Sequence, residues 1–365
     1  MLVYVSSSVQ PSTRANSIQS LYQYTYLATL YSSSRYFYAC SGPKFRTSII
    51  SQSHRLCRPS FFGIPILSSS IFFIALAGFF FIAKRILFSP ILRDSSDSIY
   101  SRNLYFSFIL ALLRIKHIYE VHSIEKGRIQ SLFLNTIVSS HSVSKIFISD
   151  SLRQMFYNSY LNGLALIDHD ASLPLELNDL ASKQLLDIFP DAETSPDLSN
   201  LLTSTKYKLF YAGTFAQGRG IEILLSLAFK LPNCDFILLG DSLTYLYNTQ
   251  LPPNVFLIGA LPHPQVLTIA AHCHILLMPY QRGLSISKFS IDSFDWMSPL
   301  KLFDYLRTGK PIITSFSSSL YEVLGSERAT YVYNISSLDE WHTKINHILQ
   351  NYDLYLSLIH ISEPT

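Results

Sequence analysis

One segment in the second half of the chain has residues that can bind a diphosphate; it reads SPLKLFDYLRTGKP and begins at Ser298. Ser298 is a good helix N-cap and Pro299 a good first residue, so the pattern predicts a helix that continues through Leu300. Lys301 then falls in the first turn, where its ammonium joins free backbone N–H groups at the positive end of the helix dipole. Asp304 follows on the same face, within reach of hydroxyls such as a ribose diol. A capped surface helix with a Lys/Asp pair is the alternative.

A glycine-containing loop is the second candidate phosphate site, and it reads YAGTFAQGRG. It lies between a predicted strand and a predicted helix, where backbone N–H groups and the helix dipole favour an anion. Its spacing nearly matches a P-loop, but the hydroxyl residue that would hold Mg²⁺ is missing. The sequence therefore disfavours an ATPase and allows a phosphate site without a metal, with an ordinary βα turn as the alternative. The candidate residues are Gly213, Thr214, Gly218, Arg219 and Gly220.

Both segments follow predicted strands in a regular alternation of strands and helices. Near-continuous apolar runs predict these strands, as expected when both faces of a parallel sheet are covered. The runs cover 208–212, 235–239, 254–258, 274–279, 311–314 and 329–333. Helical spacing of apolar residues lies between them, as at 221–228. Ligands of such sheets bind beyond the carboxyl ends of the strands.

The first half is predicted to form a second α/β domain, with a polar loop over 6–17 and a helix over 18–30. Its predicted strands cover 2–5, 98–101, 115–121, 145–148 and 165–167. One apolar segment, 61–85, reaches the ~20 residues that span a bilayer only by including Pro65 and three serines. Its unbroken core, 71–83, favours a helix that is buried or rests on a membrane over one that spans it.

The chain of 365 residues is long enough for two domains with real cores. We predict a first domain over 1–172, an interdomain connection over 173–206 and a second domain over 207–356. The last residues, 357–365, resemble a translated sequencing adapter and are predicted to be a non-native tail. A content of 48% hydrophobic and 15% charged residues excludes a disordered chain. The net charge of +3 is far short of a dedicated nucleic-acid binder.

The segment SPLKLFDY resembles the nucleotide-sugar-binding helix of family 4 retaining glycosyltransferases, in the subgroup that reads S-P-x-K-x-[FL]-[ED]-Y. YAGTFAQGRGIEILL is similar to the family's phosphate loop, and NVFLIGALPHPQV and ILLMPY resemble its neighbouring stretches. The resemblance covers about 208–325 well and is weaker over 1–170. It implies the GT-B fold, in which two Rossmann-like α/β domains face a central cleft.

The resemblance also implies roles for residues. Arg219 and Lys301 would contact the donor diphosphate, Asp304 the ribose, and His122 would be the active-site histidine near the transferred sugar. The acceptor-side candidates are Arg14, Asn16, Arg102 and Glu120, with Asp170 a weaker one. Arg102 and Glu120 could equally form a buried ion pair. One departure is Trp296, which stands where the family has an acid, so contacts to the donor's sugar ring are in doubt.

The sequence thus predicts transfer of a sugar from a UDP- or GDP-linked donor to a glycan or lipid-linked acceptor, with retention and with neither metal nor cofactor. We expect a cytoplasmic location, with peripheral contact to the inner face of the cytoplasmic membrane, a role in making cell-surface polysaccharide, and no nucleic-acid partner. Two alternatives stay open. One is a GT-B nucleotide-sugar epimerase or phosphorylase, and the other is a non-catalytic, degenerate transferase that acts as a binding partner.

Overall fold

The structure is a computed structural model of the chain. It describes residues 2–10, 15–31, 34–40, 59–65, 98–124, 127–156, 165–168, 204–241, 243–246, 249–261, 263–284 and 292–361. The described residues up to 168 form one compact unit, and those from 204 onward form another. The predicted interdomain connection, 173–206, lies mostly outside the described residues.

The first unit is built on a parallel sheet with helices between its strands. Its described elements are β1 (Leu2–Gln10), α1 (Ala15–Thr29), β2 (Ser34–Cys40), β3 (Pro59–Pro65), β4 (Ser98–Arg102), α2 (Leu104–Leu112), β5 (His117–Val121), α3 (Arg128–Ser139), β6 (Val143–Phe147), α4 (Asp150–Gln154) and β7 (Ala165–Ile167). The strands pair in the order β3-β2-β1-β4-β5-β6-β7, and every described pair is parallel. This is the Rossmann order, which places the switch point between β1 and β4.

The second unit repeats the arrangement. Its described elements are β8 (Tyr207–Ala212), α5 (Ile221–Lys230), β9 (Cys234–Leu239), β10 (Val255–Ile258), α6 (His263–Ala271), β11 (Ile275–Met278), α7 (Leu300–Leu306), β12 (Ile312–Ser315), α8 (Ser318–Leu324), β13 (Thr330–Val332), α9 (Leu338–Gln350) and α10 (Tyr352–Ile361), with a 3₁₀ turn at Leu243–Leu246. The strand order is β10-β9-β8-β11-β12-β13, again with parallel pairs. The switch point therefore lies between β8 and β11.

Local chemistry explains where several helices begin. Side-chain oxygens of Asn103, Ser149 and Ser337 accept backbone N–H groups at the starts of α2, α4 and α9, at 2.9, 3.1 and 3.2 Å. These bonds satisfy donors that have no partner within the helix. The second sheet is buried on both faces: every residue of β9, β11 and β12 is buried. That burial accounts for the near-continuous apolar runs.

In the second unit the predicted strands are confirmed, with ends that differ by at most one residue. The first unit differs more. The predicted loop over 6–17 is wrong at both ends, since β1 continues to Gln10 and α1 begins at Ala15. β2 was not predicted at all. Parallel pairing to β1 on one side and to β3 on the other stabilises it, and no local sequence pattern reports such long-range bonds.

Two further expectations are corrected. Residues 61–65, predicted to begin an apolar helix, lie in β3, whose backbone pairs with β2; residues 66–85 lie outside the described residues. The predicted tail, SLIHISEPT, shows little helical pattern in its sequence, but its first five residues, 357–361, belong to α10. Among the described residues, no helix has both the length and the hydropathy needed to cross a membrane.

Candidate functional site

The two predicted phosphate-binding segments meet beyond the carboxyl end of β8. Lys301, the second residue of α7, extends its side chain toward Gly213, the residue that follows β8. A Cβ atom added to Gly213 would lie 2.9 Å from the Nζ atom of Lys301. The hydroxyl of Tyr305, one turn further along α7, accepts a hydrogen bond from the backbone N–H of Ala212 at 2.9 Å. This hydrogen bond joins α7 to β8 next to the site.

The Lys301 ammonium is buried and has no hydrogen-bond partner among the described residues. It lies 4.0 Å from the ring centroid of Tyr211 and 4.9 Å from that of Tyr280, so two aromatic faces partly stabilise its charge. Burial, and then repulsion from Arg219, lower the pKa of Lys301 well below its usual value. A buried cation without a counter-ion is costly. The electrostatics of this site therefore favour a bound anion.

Arg219 supplies a second positive charge at the same place. Its guanidinium carbon lies 5.8 Å from the centroid of the Tyr280 ring, the ring that Lys301 also faces. Gly220 follows with φ of +75°, and a Cβ there would lie 1.7 Å from the carbonyl oxygen of Pro279. Only glycine allows this approach of the start of α5 to the end of β11. No side chain caps α5, which leaves its first N–H groups available to an anion.

Two other candidate loop residues, Thr214 and Gly218, are held by hydrogen bonds to their backbone carbonyls. Thr214 is exposed, and its backbone carbonyl accepts a hydrogen bond from the Tyr211 hydroxyl at 3.3 Å. Gly218 has φ of +78°, and its carbonyl accepts the backbone N–H of Gln281 at 2.9 Å. The loop is thus tied to the strand before it and to the chain that follows β11.

The predicted cap at Ser298 is wrong. Pro299 has extended backbone angles and is itself the N-cap, so α7 begins at Leu300. The hydroxyl of Ser298 is buried and has no hydrogen-bond partner among the described residues. Proline at the cap position has no side-chain oxygen to offer, and α7 therefore starts without a side-chain cap. Lys301 still falls in the first turn, as predicted.

Asp304 has a partner that the sequence analysis did not single out. Its Oδ2 atom lies 3.0 Å from Nε2 of His263, the first residue of α6, and both side chains are partly exposed. In the sequence, the only sign of this pair is the histidine in LPHPQV, because its partner Asp304 lies 41 positions further along the chain. The pair places one carboxylate oxygen of Asp304 in a fixed position.

The position at which the family has an acid holds a buried tryptophan, Trp296, which is 1% exposed. Two acids nearby do not replace the missing one. Asp292 accepts the backbone N–H of Gly283 at 2.8 Å, and Asp295 forms an ion pair with Arg282. These two contacts therefore stabilise the segment of chain that follows β11. Within the described part of the chain, no three His, Cys, Asp or Glu side chains form a group that could hold a metal ion.

A second cluster of predicted residues lies in the first unit, at the carboxyl ends of β4 and β5. Nε2 of His122 lies 2.7 Å from Nε of Arg102 and 2.9 Å from Oε1 of Glu120. The Arg102 and Glu120 side chains are 3% exposed, whereas that of His122 is 28% exposed. The buried ion pair, which the sequence left open, is therefore present, and His122 is the member that solvent can reach.

Further hydrogen bonds fix the carboxylate of this cluster. Gln23, from α1, donates to Oε2 of Glu120 at 2.8 Å, and the Tyr100 hydroxyl donates to the same oxygen. Burial raises the pKa of Glu120, but Arg102 and His122 together hold it well below its usual range. Gln23 was not predicted, because its place beside Glu120 depends on the packing of α1 against the sheet. Of the other acceptor-side candidates, Asn16 lies in the first turn of α1, and Arg14 and Asp170 lie outside the described residues.

No family model matches the chain, and no curated protein matches it in sequence. Solved structures do match it over nearly all of its length. HepE of Anabaena, solved in complex with UDP, is 14% identical, with 98% of this chain and 92% of HepE covered and a TM-score of 0.64. A glycosyltransferase from Rickettsia africae is 12% identical, with coverage of 99% and 91% and a TM-score of 0.68.

Sucrose-phosphate synthase from Thermosynechococcus elongatus is also similar to this chain: it is 14% identical, with coverage of 98% and 92% and a TM-score of 0.67. At these identities the likeness establishes the fold. Together with the two parallel sheets in Rossmann order, it shows that the chain has the GT-B architecture of glycosyltransferases.

Proposed function

We propose that the protein is a glycosyltransferase that moves a sugar from a nucleotide-diphospho-sugar to a glycan or lipid-linked acceptor. The observation that carries this proposal is the buried ammonium of Lys301, which no described residue pairs with, beside Arg219 and the loop at Gly213. A diphosphate is the anion that two adjacent cations and the N-terminus of a helix bind well. HepE, which has the same fold, has also been solved in complex with UDP-glucose.

Lys301 and Arg219 would act on the leaving group. As the bond between the sugar and the diphosphate breaks, negative charge grows on the phosphate oxygens. Two cations held by the protein stabilise that charge more in the transition state than in the bound donor. Their charges are the basis for proposing a reaction that needs no metal ion. Retention of anomeric configuration is proposed from the resemblance to family 4.

His122 is proposed to face the transferred sugar, as the resemblance implies. Its imidazole is held by Arg102 and Glu120, both buried, so its ring is fixed while one edge stays accessible. Glu120 and Arg102 are then positioning residues. A cytoplasmic location at the inner face of the membrane, and a role in cell-surface polysaccharide synthesis, are proposed with the lipid-linked acceptor.

The experiment is a thermal-shift panel of UDP-, GDP-, ADP- and dTDP-sugars against the wild type and Lys301→Met. The matched control is Lys344→Met, because Lys344 also lies over a tyrosine ring but is paired with Glu340. We expect one class of donor to stabilise the wild type and the control, and to lose at least about tenfold in affinity with Lys301→Met. If no donor stabilises the wild type, the proposal fails.

One observation favours a second candidate, a non-catalytic member of the same fold. Trp296 is buried where the family has an acid that contacts the donor sugar. A donor that binds through Lys301 but is neither transferred, hydrolysed nor isomerised in the presence of membrane extracts would favour that candidate. Turnover of donor without any acceptor would favour an epimerase or phosphorylase.

A further inference from the structure

The helix α2 presents an apolar outer face although it lies on the surface of the first unit. Its nine residues, LYFSFILAL, contain no charged side chain. Phe106 and Leu110 are fully buried against the sheet, whereas Leu112 and the adjacent Leu113 are 59% and 54% exposed. A surface helix of a soluble protein usually has charged residues on its outer side. The outer side of α2 has none.

The neighbouring helix α3 extends this apolar surface. Ile129 and Leu132 are 63% and 61% exposed. Phe133 of α3 stacks on Phe108 of α2, with ring centroids 3.9 Å apart, and so joins the two helices. We call this surface the α2–α3 face; it comprises Phe108, Leu112, Leu113, Ile129, Leu132 and Phe133. Exposed apolar side chains on two helices that pack together in this way are candidates for a site of interaction.

The charges around the α2–α3 face are positive. Arg114 and Lys116 are exposed just after α2, and Arg128 is exposed at the start of α3. Between 98 and 148, the one acidic residue that the structure describes is Glu120, which is buried in its ion pair. The face therefore has cations at its ends and no exposed carboxylate among its described neighbours.

The whole first unit has the same sign. Residues 1–171 contain sixteen Lys and Arg against seven Asp and Glu, whereas residues 172–365 contain twelve against eighteen. The overall net charge of +3 thus combines +9 in the first part with −6 in the second. Such an asymmetry favours an anionic partner for the first unit.

From the apolar helices, the cations at their ends and the charge asymmetry, we infer that the α2–α3 face docks onto an anionic lipid bilayer. The exposed side chains would enter the boundary between headgroups and acyl chains, while Arg114, Lys116 and Arg128 contact anionic headgroups. This inference deepens the proposed function and rests on its location at the membrane, but it uses no residue of the donor site. A second copy of the chain, whose second unit is acidic, is the competing occupant.

The test is flotation of the full-length protein with vesicles of phosphatidylcholine alone and with vesicles that also contain phosphatidylglycerol. We expect binding to the anionic vesicles, little to the neutral ones, and weakening by salt. The double variant Lys116→Gln/Arg128→Gln should bind about 25-fold more weakly, because each cation near an anionic surface contributes about fivefold. Ile129→Ser/Leu132→Ser should lose at least tenfold. All four side chains are exposed, so the fold should tolerate these changes.

The matched control is Phe229→Ser, which removes an exposed apolar side chain from the second unit (59% exposed) and should leave flotation unchanged. Thermal shift by donor should stay as in the wild type in every variant, which separates loss of docking from loss of the donor site. Three results would overturn the inference: no binding to anionic vesicles, equal binding by the face variants, or equal loss in the control. So would a dimer in analytical ultracentrifugation that Ile129→Ser/Leu132→Ser dissociates, since a second copy would then cover the face.

Discussion

The ammonium of Lys301 lies 4.0 Å above the ring of Tyr211, and the side chain of Lys301 fills the space that a side chain on Gly213 would need. Two segments 88 positions apart in the sequence thus form one site. The position of the Lys301 charge therefore depends on the absence of a side chain at Gly213. Any larger residue at position 213 would displace the group that we propose binds the donor diphosphate.

The first prediction concerns stability. Lys301→Met should raise the free energy of unfolding of the ligand-free protein by about 1–3 kcal/mol, because it removes a buried charge that has no hydrogen-bond partner among the described residues. Urea unfolding measures this, with Lys344→Met as the control that should gain nothing. A loss of stability in Lys301→Met would show that the ammonium has a partner in solution.

This prediction has a definite dependence on pH. Since the pKa of Lys301 is lowered in the folded state, the unfolded chain binds more protons between that lowered pKa and about 10.4. The wild type should therefore gain stability relative to Lys301→Met as pH rises through this window. Below the lowered pKa the difference between the two proteins should be constant and at its largest.

The second prediction concerns the loop. Gly220→Ala should lower the free energy of unfolding by about 3 kcal/mol, because it adds a clash with Pro279 to the strain of a positive φ. Gly283→Ala is the matched control: Gly283 has φ of +85°, but a Cβ there meets no atom of the described residues within 4 Å. Its cost should be only the conformational one, about 1 kcal/mol. Equal costs in urea unfolding would contradict the close approach of α5 to β11.

The third prediction concerns His263 as a positioning residue for Asp304. His263→Ala should weaken binding of the stabilising nucleoside diphosphate about tenfold, as should Asp304→Asn, and the double variant should lose little more. Binding of inorganic pyrophosphate, which has no ribose, should not change. His272→Ala is the control, because His272 directly follows the same helix and its Nδ1 atom lies 2.8 Å from the carbonyl oxygen of Thr268, a residue of that helix. Titration calorimetry gives these affinities, and additive losses would show that the two side chains act separately.

The fourth prediction concerns the cluster in the first unit. Glu120→Gln should cost about 3–5 kcal/mol at pH 7, because it removes the carboxylate that pairs with the buried guanidinium of Arg102. Asp150→Asn breaks a partly exposed pair with Arg153 and should cost less than about 1 kcal/mol.

The free energy of unfolding at acid pH tests the same ion pair. The pKa of Glu120 is held below its unfolded value, so its stabilisation is present above about pH 4.3 and is lost as pH falls toward the lowered pKa. The difference between the wild type and Glu120→Gln should therefore shrink below pH 4.3. A constant difference down to pH 2 would contradict the ion pair.

Strands can be predicted from the sequence where both faces of the sheet are buried. Strands such as Cys234–Leu239 and Ile275–Met278 are apolar throughout because the sheet is covered on both faces, and that pattern is visible in the sequence. The sequence does not predict the strand Ser34–Cys40, and it predicts a helix where residues 61–65 form a strand. In both cases the backbone bonds that decide the structure join segments far apart in the chain.

The sequence alone predicts two candidate phosphate-binding segments after strands in the second half, because residue type and spacing are local properties. It also placed Lys301 in the first turn of a helix. The burial of Lys301 between Tyr211 and Tyr280 appears only in the tertiary structure. So do the pairing of Asp304 with His263 and the start of α7 without a cap from Ser298. Burial and pairing depend on distances between segments, and no local pattern encodes those distances.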